Sequence, residues 1–432
     1  MIINFSVENF GSIKEKQTLS FLANNSDHLE DYYIIEPIKG LRLNKLALIY
    51  GANASGKTTV LKALDFLRDI CTEPFDKKTE KFDFEPFLFD EKTPIQNTKF
   101  ELEFVQNGIR YFYEVELNKN CIVKEKLYNF NPNKALVFER NTDEQKELTS
   151  IKFGSKIPKR KTLEDNLEIF TLWNNTVLGG FLKANIESEL LKNFLDLLKI
   201  DLYPTLSNNV NARLFITSII ANDIINKNHI AKFLKIADFN ISTLIIKREK
   251  EFIPKSIIDE SEFFIRTENG IAVEMNAIEN NNVYFNHTVN GKNFTLPIDL
   301  ESDGTQKYFE LSGILGMLIL GICIIPIDEL ESSLHPDLFN HFLLTYLVNG
   351  KKESQLIATT HNREILNNRD LFRDDAIWFT DKNEDSATEL YSLADFDSSV
   401  VRDTTNVLNA YKSGKLGGVP NLGDYYINLD EE

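Results

Sequence analysis

The sequence predicts an α/β fold with a β-rich N-terminal lobe and a mainly helical insert, on three observations. Apolar and polar residues alternate at the start, with Ile3, Phe5 and Val7 facing one way and Asn4, Ser6 and Glu8 the other. A glycine-bounded loop, Gly51 to Thr58, separates a short apolar run from a helical pattern. Far downstream, a second apolar run from Cys323 to Ile327 ends in the carboxylates Asp328 and Glu329.

Taken in order, Leu46-Ala47-Leu48-Ile49-Tyr50 reads as a buried strand ending at Gly51. From Thr58 the spacing is helical, with Leu61, Leu64 and Leu67 interleaved with Lys62, Asp65 and Asp69. Phe100, Leu102 and Phe104 alternate with charges before Asn107-Gly108, and Tyr111, Tyr113, Val115 and Leu117 alternate after it. Asn-Gly readily supplies the positive φ angles of a tight turn, so the pair of runs predicts a β-hairpin. Residues 141–165, rich in Lys, Glu, Thr and Asp, read as a surface connection. Residues 184–200 carry a helical stripe of Ile186, Leu190, Leu191, Phe194, Leu197 and Leu198, and a second helical stretch covers about 213–237. Shorter β-like runs such as Thr243-Leu244-Ile245-Ile246 follow, with no repeats or sustained heptads. The expected division is residues 1–140, carrying the glycine loop, then a helical insert over 141–237, then an α/β part over 238–432.

Composition narrows the function. The chain has 432 residues with 48 basic and 65 acidic side chains, a net charge of −17, which argues against a generally basic nucleic-acid binder. A local basic run remains at Lys152, Lys156, Lys159, Arg160 and Lys161. Cys71, Cys121 and Cys323 are too few and too far apart for a disulfide framework or a Cys-rich metal site. The opening residues lack the basic region and apolar block of a signal peptide, so the expectation is a cytoplasmic protein. Leu311 to Ile327 is nearly as long as a short membrane span, but it contains Gly313, Gly316, Gly321 and Pro326 and runs into Asp328-Glu329-Leu330-Glu331. It reads instead as a buried helix followed by a buried parallel strand, with no membrane partner.

The chemistry is concentrated in a few segments. Gly51-Ala52-Asn53-Ala54-Ser55-Gly56-Lys57-Thr58 fits G-x-x-x-x-G-K-[ST], the P-loop, with a strand before it and a helix after it. The backbone of Gly51, Asn53, Ala54, Ser55 and Gly56 and the helix start at Thr58-Thr59 would turn N–H groups toward the phosphates of ATP. Lys57 would meet the β- and γ-phosphates, and Thr58 would give its hydroxyl to Mg²⁺. Asp328 would join the metal shell, and Glu329 would polarise the water that attacks the γ-phosphate, giving ADP and phosphate. Pro326 sits awkwardly in the strand before them, because proline cannot donate to a central ladder.

Leu300-Glu301-Ser302-Asp303-Gly304-Thr305-Gln306 precedes Asp328 and resembles the signature motif of ABC-type ATPases. His361, after Thr359-Thr360, resembles their switch histidine, and Glu331-Ser332-Ser333-Leu334-His335-Pro336 falls where they place the D-loop. The order of these elements resembles an ABC/SMC-like P-loop ATPase head. Closer still, the chain resembles the OLD-like family of AAA/ABC ATPases, found in bacterial abortive-infection and anti-phage systems such as PARIS. That resemblance rests on Phe5-Ser6-Val7-Glu8-Asn9-Phe10-Gly11-Ser12, the P-loop with Asn53 and Ser55, Glu329 to Pro336, and Tyr411 with Gly414 to Pro420. Gly11 stands where the family usually carries an arginine that contacts nucleotide.

The resemblance implies a head that sandwiches ATP between two copies, with Ser302 and the Gly304 N–H of one copy reaching the γ-phosphate held by the other. It implies a homodimer or higher oligomer whose assembly follows nucleotide state. OLD nucleases carry a nuclease domain after the ATPase. Only 104 residues follow Asp328 here, so the expected role is a sensor or scaffold controlling a separate effector protein. The alternative is an SMC-like repair or recombination ATPase that grips DNA, its basic run meeting phosphates.

Overall fold

The computed structural model describes residues 1–155, 157–158, 160–207, 212–254, 265–267, 270–272, 275–350, 353–396 and 406–420. The chain opens with β1 (Ile2–Glu8), β2 (Gln17–Ser20) and α1 (Glu30–Tyr33), then the hairpin of β3 (Ile34–Ile38) and β4 (Leu41–Asn44). β5 (Leu46–Gly51) leads through the P-loop into α2 (Lys57–Thr72). A meander follows: β6 (Thr98–Gln106), β7 (Ile109–Leu117), β8 (Ile122–Phe130), β9 (Lys134–Asp143) and β10 (Leu148–Phe153). Then come α3 (Arg160–Phe170), α4 (Val177–Lys183), α5 (Glu189–Asp196), α6 (Ala212–Ala221) and α7 (Lys227–Ile236). Next are β11 (Thr243–Pro254), β12 (Ile265–Thr267), β13 (Gly270–Ala272), β14 (Met275–Val289) and β15 (Lys292–Pro297). The remainder is α8 (Asp303–Leu320), β16 (Ile324–Ile327), α9 (Pro336–Asn349), β17 (Gln355–Thr359), β18 (Ile377–Lys382), β19 (Thr388–Ser392) and α10 (Val407–Lys412).

Two compact units result, one of residues 1–208, 318–332 and 343–432, the other of residues 209–317 and 333–342. In the first, an antiparallel sheet runs β10-β9-β8-β7-β6-β1-β2 and a second sheet runs β16-β17-β5-β18-β19. In the second sheet β16, β17, β5 and β18 are parallel and β19 is antiparallel. Their C-terminal ends therefore lie along one edge, the place where open α/β sheets carry ligands. This is the α/β architecture expected of an ABC/SMC-like P-loop head.

Helix α2 joins the two sheets through one core. Its Val60, Leu61, Leu64 and Leu67 are buried with Phe5, Val7, Phe100 and Tyr113 of the antiparallel sheet and with Ile49, Ile324 and Ile357 of the parallel one. An aromatic cluster fixes the loop after β1 to the helix: Phe10, Phe66 and Phe84 have ring centroids 5.0–5.8 Å apart. The hairpin forms as the sequence predicts, with Gln106 opposite Ile109 and both Asn107 (φ 51°) and Gly108 (φ 72°) left-handed.

Two expectations need correction. Residues 141–165 are not a surface connection. β9 and β10 extend the antiparallel sheet through Phe153, and α3 buries Leu163 and Leu167. The second unit begins near residue 209 rather than 141. It holds α6 and α7, separated at residues 222–226, together with the sheet β11-β14-β15 and most of α8. Within it, Gly313 of α8 faces Ile216 of α6 so closely that an added Cβ would overlap it. The apolar stretch from Leu311 is thus a buried helix followed by β16, as expected, and no described helix is long and apolar enough to cross a membrane.

Pro326 also finds its reason. β16 ends the sheet, and its outer side is met by the segment Leu202–Leu206: Tyr203 N donates to Ile324 O, and Leu206 N to Pro326 O, both at 2.9 Å. Its missing N–H therefore faces the edge and not β17, where edge prolines are tolerated.

One buried pair holds the antiparallel sheet to α4. The Glu125 carboxylate accepts from Val177 N (2.9 Å) and from Tyr113 Oη (3.0 Å), with Arg140 Nε 4.0 Å away. Burial pushes Glu125 up to about 7, against the opposing pull of Arg140. A carboxyl whose folded pKa is raised favours folding below its unfolded pKa and loses that contribution as pH rises through the folded value. Wild-type stability relative to Glu125→Gln should therefore fall by about 3 kcal/mol between roughly pH 4.5 and 7 and be level above. Urea denaturation of both proteins across that range checks it, and parallel pH profiles would refute it.

Candidate active site

The P-loop grows directly from the end of the central strand β5. Ala54 (φ 62°) and Gly56 (φ 110°) are left-handed, which curls the chain into the N-terminus of the 16-residue helix α2. A Cβ at Gly56 would overlap Thr388, and one at Gly51 would overlap Thr380 and Ser55, so both glycines are dictated by close approach. The loop is fastened from behind. Ser55 shares a hydroxyl hydrogen bond with Thr380 (2.6 Å), and Thr388 Oγ1 donates to Ser55 O (2.9 Å). Asn53 and Ala54 are exposed at its tip.

Lys57 is buried and its Nζ donates to Gly51 O (2.9 Å) and Ala52 O (3.0 Å). Burial lowers its pKa, opposed by the nearby carboxylates of Asp328, Glu331 and Glu329. Thr58 is exposed and its hydroxyl donates to Asp328 Oδ2 at 2.9 Å. The other Asp328 oxygen accepts from Thr359 Oγ1 at 2.5 Å, and that same hydroxyl accepts from Glu329 N at 2.8 Å. Glu329 adopts φ 52°, a conformation uncommon outside glycine and concentrated at functional sites. His361 N donates to Glu331 Oε1 (2.5 Å), and partial burial, then the charge of Lys57, lowers the His361 pKa. The ends of β5, β16 and β17 thus bring together Lys57, Thr58, Asp328, Glu329 and His361.

Ser302 and Gly304 belong to the other unit. Ser302 Oγ accepts from Thr305 N (3.2 Å) at the start of α8, and Gln306 Nε2 donates to Glu301 O (3.0 Å). Gly304 has open space around its Cα except for Ser333 O, 3.5 Å from an added Cβ. In the basic run, Lys156 and Lys159 lie outside the described residues. Gly11 is left-handed at φ 55° and packs on Thr59.

Sequence reasoning missed Thr380 and Thr388, which hold the loop from β18 and β19, and it named Ser12, Glu331 and Thr359 only as parts of motifs, without the contacts they make. It also missed why the closing segment matters. Gly418 N donates to Asp381 Oδ2 (2.8 Å), and an added Gly418 Cβ would stand 3.5 Å from Gly51 Cα, at the root of the P-loop. Tyr411 Oη donates to Gly418 O (2.9 Å), fixing that segment.

The family model described as "AAA domain, putative AbiEii toxin, Type IV TA system" matches residues 46–367, from β5 to the turns beyond His361. The chain belongs to this family of AAA domains. No curated protein matches it. Among solved structures it is similar to the SMC head domain from Thermotoga maritima, at 13% identity and TM-score 0.39, covering 90% of this chain and 98% of that one. It is also similar to an SMC head bound to the C-terminal winged-helix domain of ScpA, at 12% identity and TM-score 0.42, covering 90% and 97%. A third is an Smc head with an extended coiled coil bound to the C-terminal domain of ScpA derived from Pyrococcus furiosus, at 12% and 0.40, covering 90% and 96%.

The residues of this AAA domain fit a nucleotide with Mg²⁺. A left-handed P-loop opens onto a helix N-terminus, which suits phosphate. Thr58 and Asp328 place side-chain oxygens side by side, the donor type a hard divalent cation takes. No group of three or more His, Cys, Asp or Glu able to hold a metal exists among the described residues. The cation's remaining ligands would therefore be phosphate oxygens and water.

Thr359 holds both the Asp328 carboxylate and the Glu329 backbone, so Thr359→Val should lower ATP turnover about 10- to 100-fold. The nucleotide Kd should change far less, as paired turnover and binding assays will show. Gly56→Ala should abolish nucleotide binding outright, checked by titration with a fluorescent ATP analogue.

Proposed function

We propose that this chain is an ATP-binding and ATP-hydrolysing switch of bacterial anti-phage defence that controls a separate effector protein. The observation that carries the ATPase reading is the shared Asp328 carboxylate, which Thr58 of the P-loop and Thr359 of β17 hold from opposite sides. Through Thr359 the cation site and the Glu329 backbone are one hydrogen-bonded unit. The defence setting draws support from the family description, which names a toxin and a toxin–antitoxin system, and from the resemblance to OLD-like ATPases at both ends of the chain.

In this reading Lys57 and the P-loop N–H groups bind the phosphates, and Thr58 and Asp328 hold Mg²⁺. The cation, when bound, neutralises charge on the β- and γ-phosphate oxygens. Glu329 takes the proton of the attacking water. His361, its pKa lowered by partial burial and then by Lys57, is placed to accept or donate a hydrogen bond there. Ser302 and the Gly304 N–H of a second copy complete the γ-phosphate site. A ligand shared in this way stabilises the pair by mass action, and its hydrolysis removes the bridging group. Assembly state then reports nucleotide state to the effector.

With ATP and Mg²⁺, Glu329→Gln should form dimers or larger species and retain unhydrolysed ATP, whereas Lys57→Ala should stay at the mass of the nucleotide-free protein. Light scattering coupled to nucleotide analysis measures both, and identical masses would falsify the sandwich. Co-purification of Glu329→Gln with the product of a neighbouring gene tests the effector.

A further inference from the structure

Beside the first turn of α2, the loop after β1 and the β18–β19 hairpin meet in a chain of hydroxyls. Ser12 Oγ lies within hydrogen-bond distance of Thr59 Oγ1 (3.0 Å) and of Thr388 Oγ1 (2.8 Å) and can give its one proton to either. Thr388 N donates to Ser12 O (2.7 Å), and its hydroxyl donates to the P-loop carbonyl of Ser55 (2.9 Å). Onto this chain Lys382 is fastened: its Nζ donates to Thr388 Oγ1 at 3.0 Å.

Lys382 differs from the other lysine near this loop. Lys14 is neutralised by Asp90 (3.1 Å) and Asp385 (2.8 Å). Lys382 is half-buried, and its ammonium has Thr388 as its hydrogen-bond partner and no ion pair among the described residues. The neighbouring Asp381 is turned elsewhere, accepting from Lys382 N (2.8 Å) and Gly418 N (2.8 Å). Burial, with no carboxylate offsetting it, pulls the Lys382 pKa below the ordinary lysine range. An ammonium carries three donors, and a partly desolvated one with a single neutral partner is costly unless an anion joins it.

We propose that Lys382 is a second phosphate-contacting lysine of the nucleotide site, meeting the phosphate nearest the sugar. The proposal rests on the ATP-site reading above. Lys57 serves the β- and γ-phosphates from within the loop. Lys382 is anchored two hydrogen bonds from the loop, on the flank formed by Ser55 and Thr59, which leaves it the α-phosphate. Thr388 is the positioning residue: it sets the height of the ammonium and at the same time fixes Ser55 and crowds Gly56. Because ATP and ADP both carry the α-phosphate, this contact does not discriminate between them. It holds nucleotide through the cycle.

Lys382→Met, which keeps the stem and deletes the charge, should weaken ATP and ADP by the same factor, at least about tenfold for a lost charge-assisted hydrogen bond. Lys382→Arg should restore most of the affinity, and the nucleotide-free melting temperature of Lys382→Met should be unchanged or raised, since an unpaired half-buried cation is removed. A loss below twofold, a loss confined to ATP, or failure of arginine to rescue would overturn the proposal. The wild-type protein supplies an independent measurement. Saturating ADP should slow acetylation of Lys382, read by mass spectrometry, whereas adenosine should not, and equal acetylation with and without ADP rejects the contact. Lys57→Ala separates the two levels of the argument. If it too binds nucleotide undiminished, the P-loop reading falls and this proposal with it. If it loses binding while Lys382→Met does not, only the role of Lys382 falls.

Discussion

One carboxylate organises the parallel sheet's working edge. Asp328 receives the Thr58 hydroxyl from the P-loop and the Thr359 hydroxyl from β17, so the ends of β5, β16 and β17 are tied at one point. The strands are parallel and buried on both faces, which places these ends together without any contribution from long loops. A displacement of α2 would separate Thr58 from Asp328, and α2 resists it because its apolar face is shared by both sheets. The core thus maintains the distance between a phosphate loop and a carboxylate 270 residues away in sequence.

The close contacts around the loop follow the same logic. Gly51 and Gly56 are small because Thr380 and Thr388 come up from β18 and β19 beneath them. Those threonines in turn spend their hydroxyls on Ser55, so the loop's curvature is set from below as well as by its own left-handed residues. A phosphate cradle built in this manner is preorganised, and little ordering is left for the ligand to bring about.

How much of this was legible in the sequence depends on whether the information was local. The P-loop, the strand before it and the helix after it are contiguous, and a register set by Asn107-Gly108 needs only adjacent residues. Asp328 and Glu329 were readable because an apolar strand leads to them. The contacts of Thr359, Thr380 and Thr388 were not, because a threonine in a strand carries no mark of the partner it meets, whether about 30 residues away, as for Thr359, or more than 300, as for the other two. Residues 141–165 were misread for a different reason. β10 buries only Ile151 and Phe153, and α3 only Leu163 and Leu167, so neither shows a wide apolar face. Their strand and helix are imposed by neighbours, β9 and the antiparallel sheet, and tertiary context overrides a weak local pattern there.

The edge position of Pro326 bears on what this flank of the sheet can accept. Strand β16 offers no N–H at Pro326, and Leu202–Leu206 already occupies its outer ladder. A foreign strand has nothing to pair with there, so this edge cannot be extended by backbone annealing between molecules. Proteins that grip through added strands let go slowly and risk fibres. This edge is closed to that route.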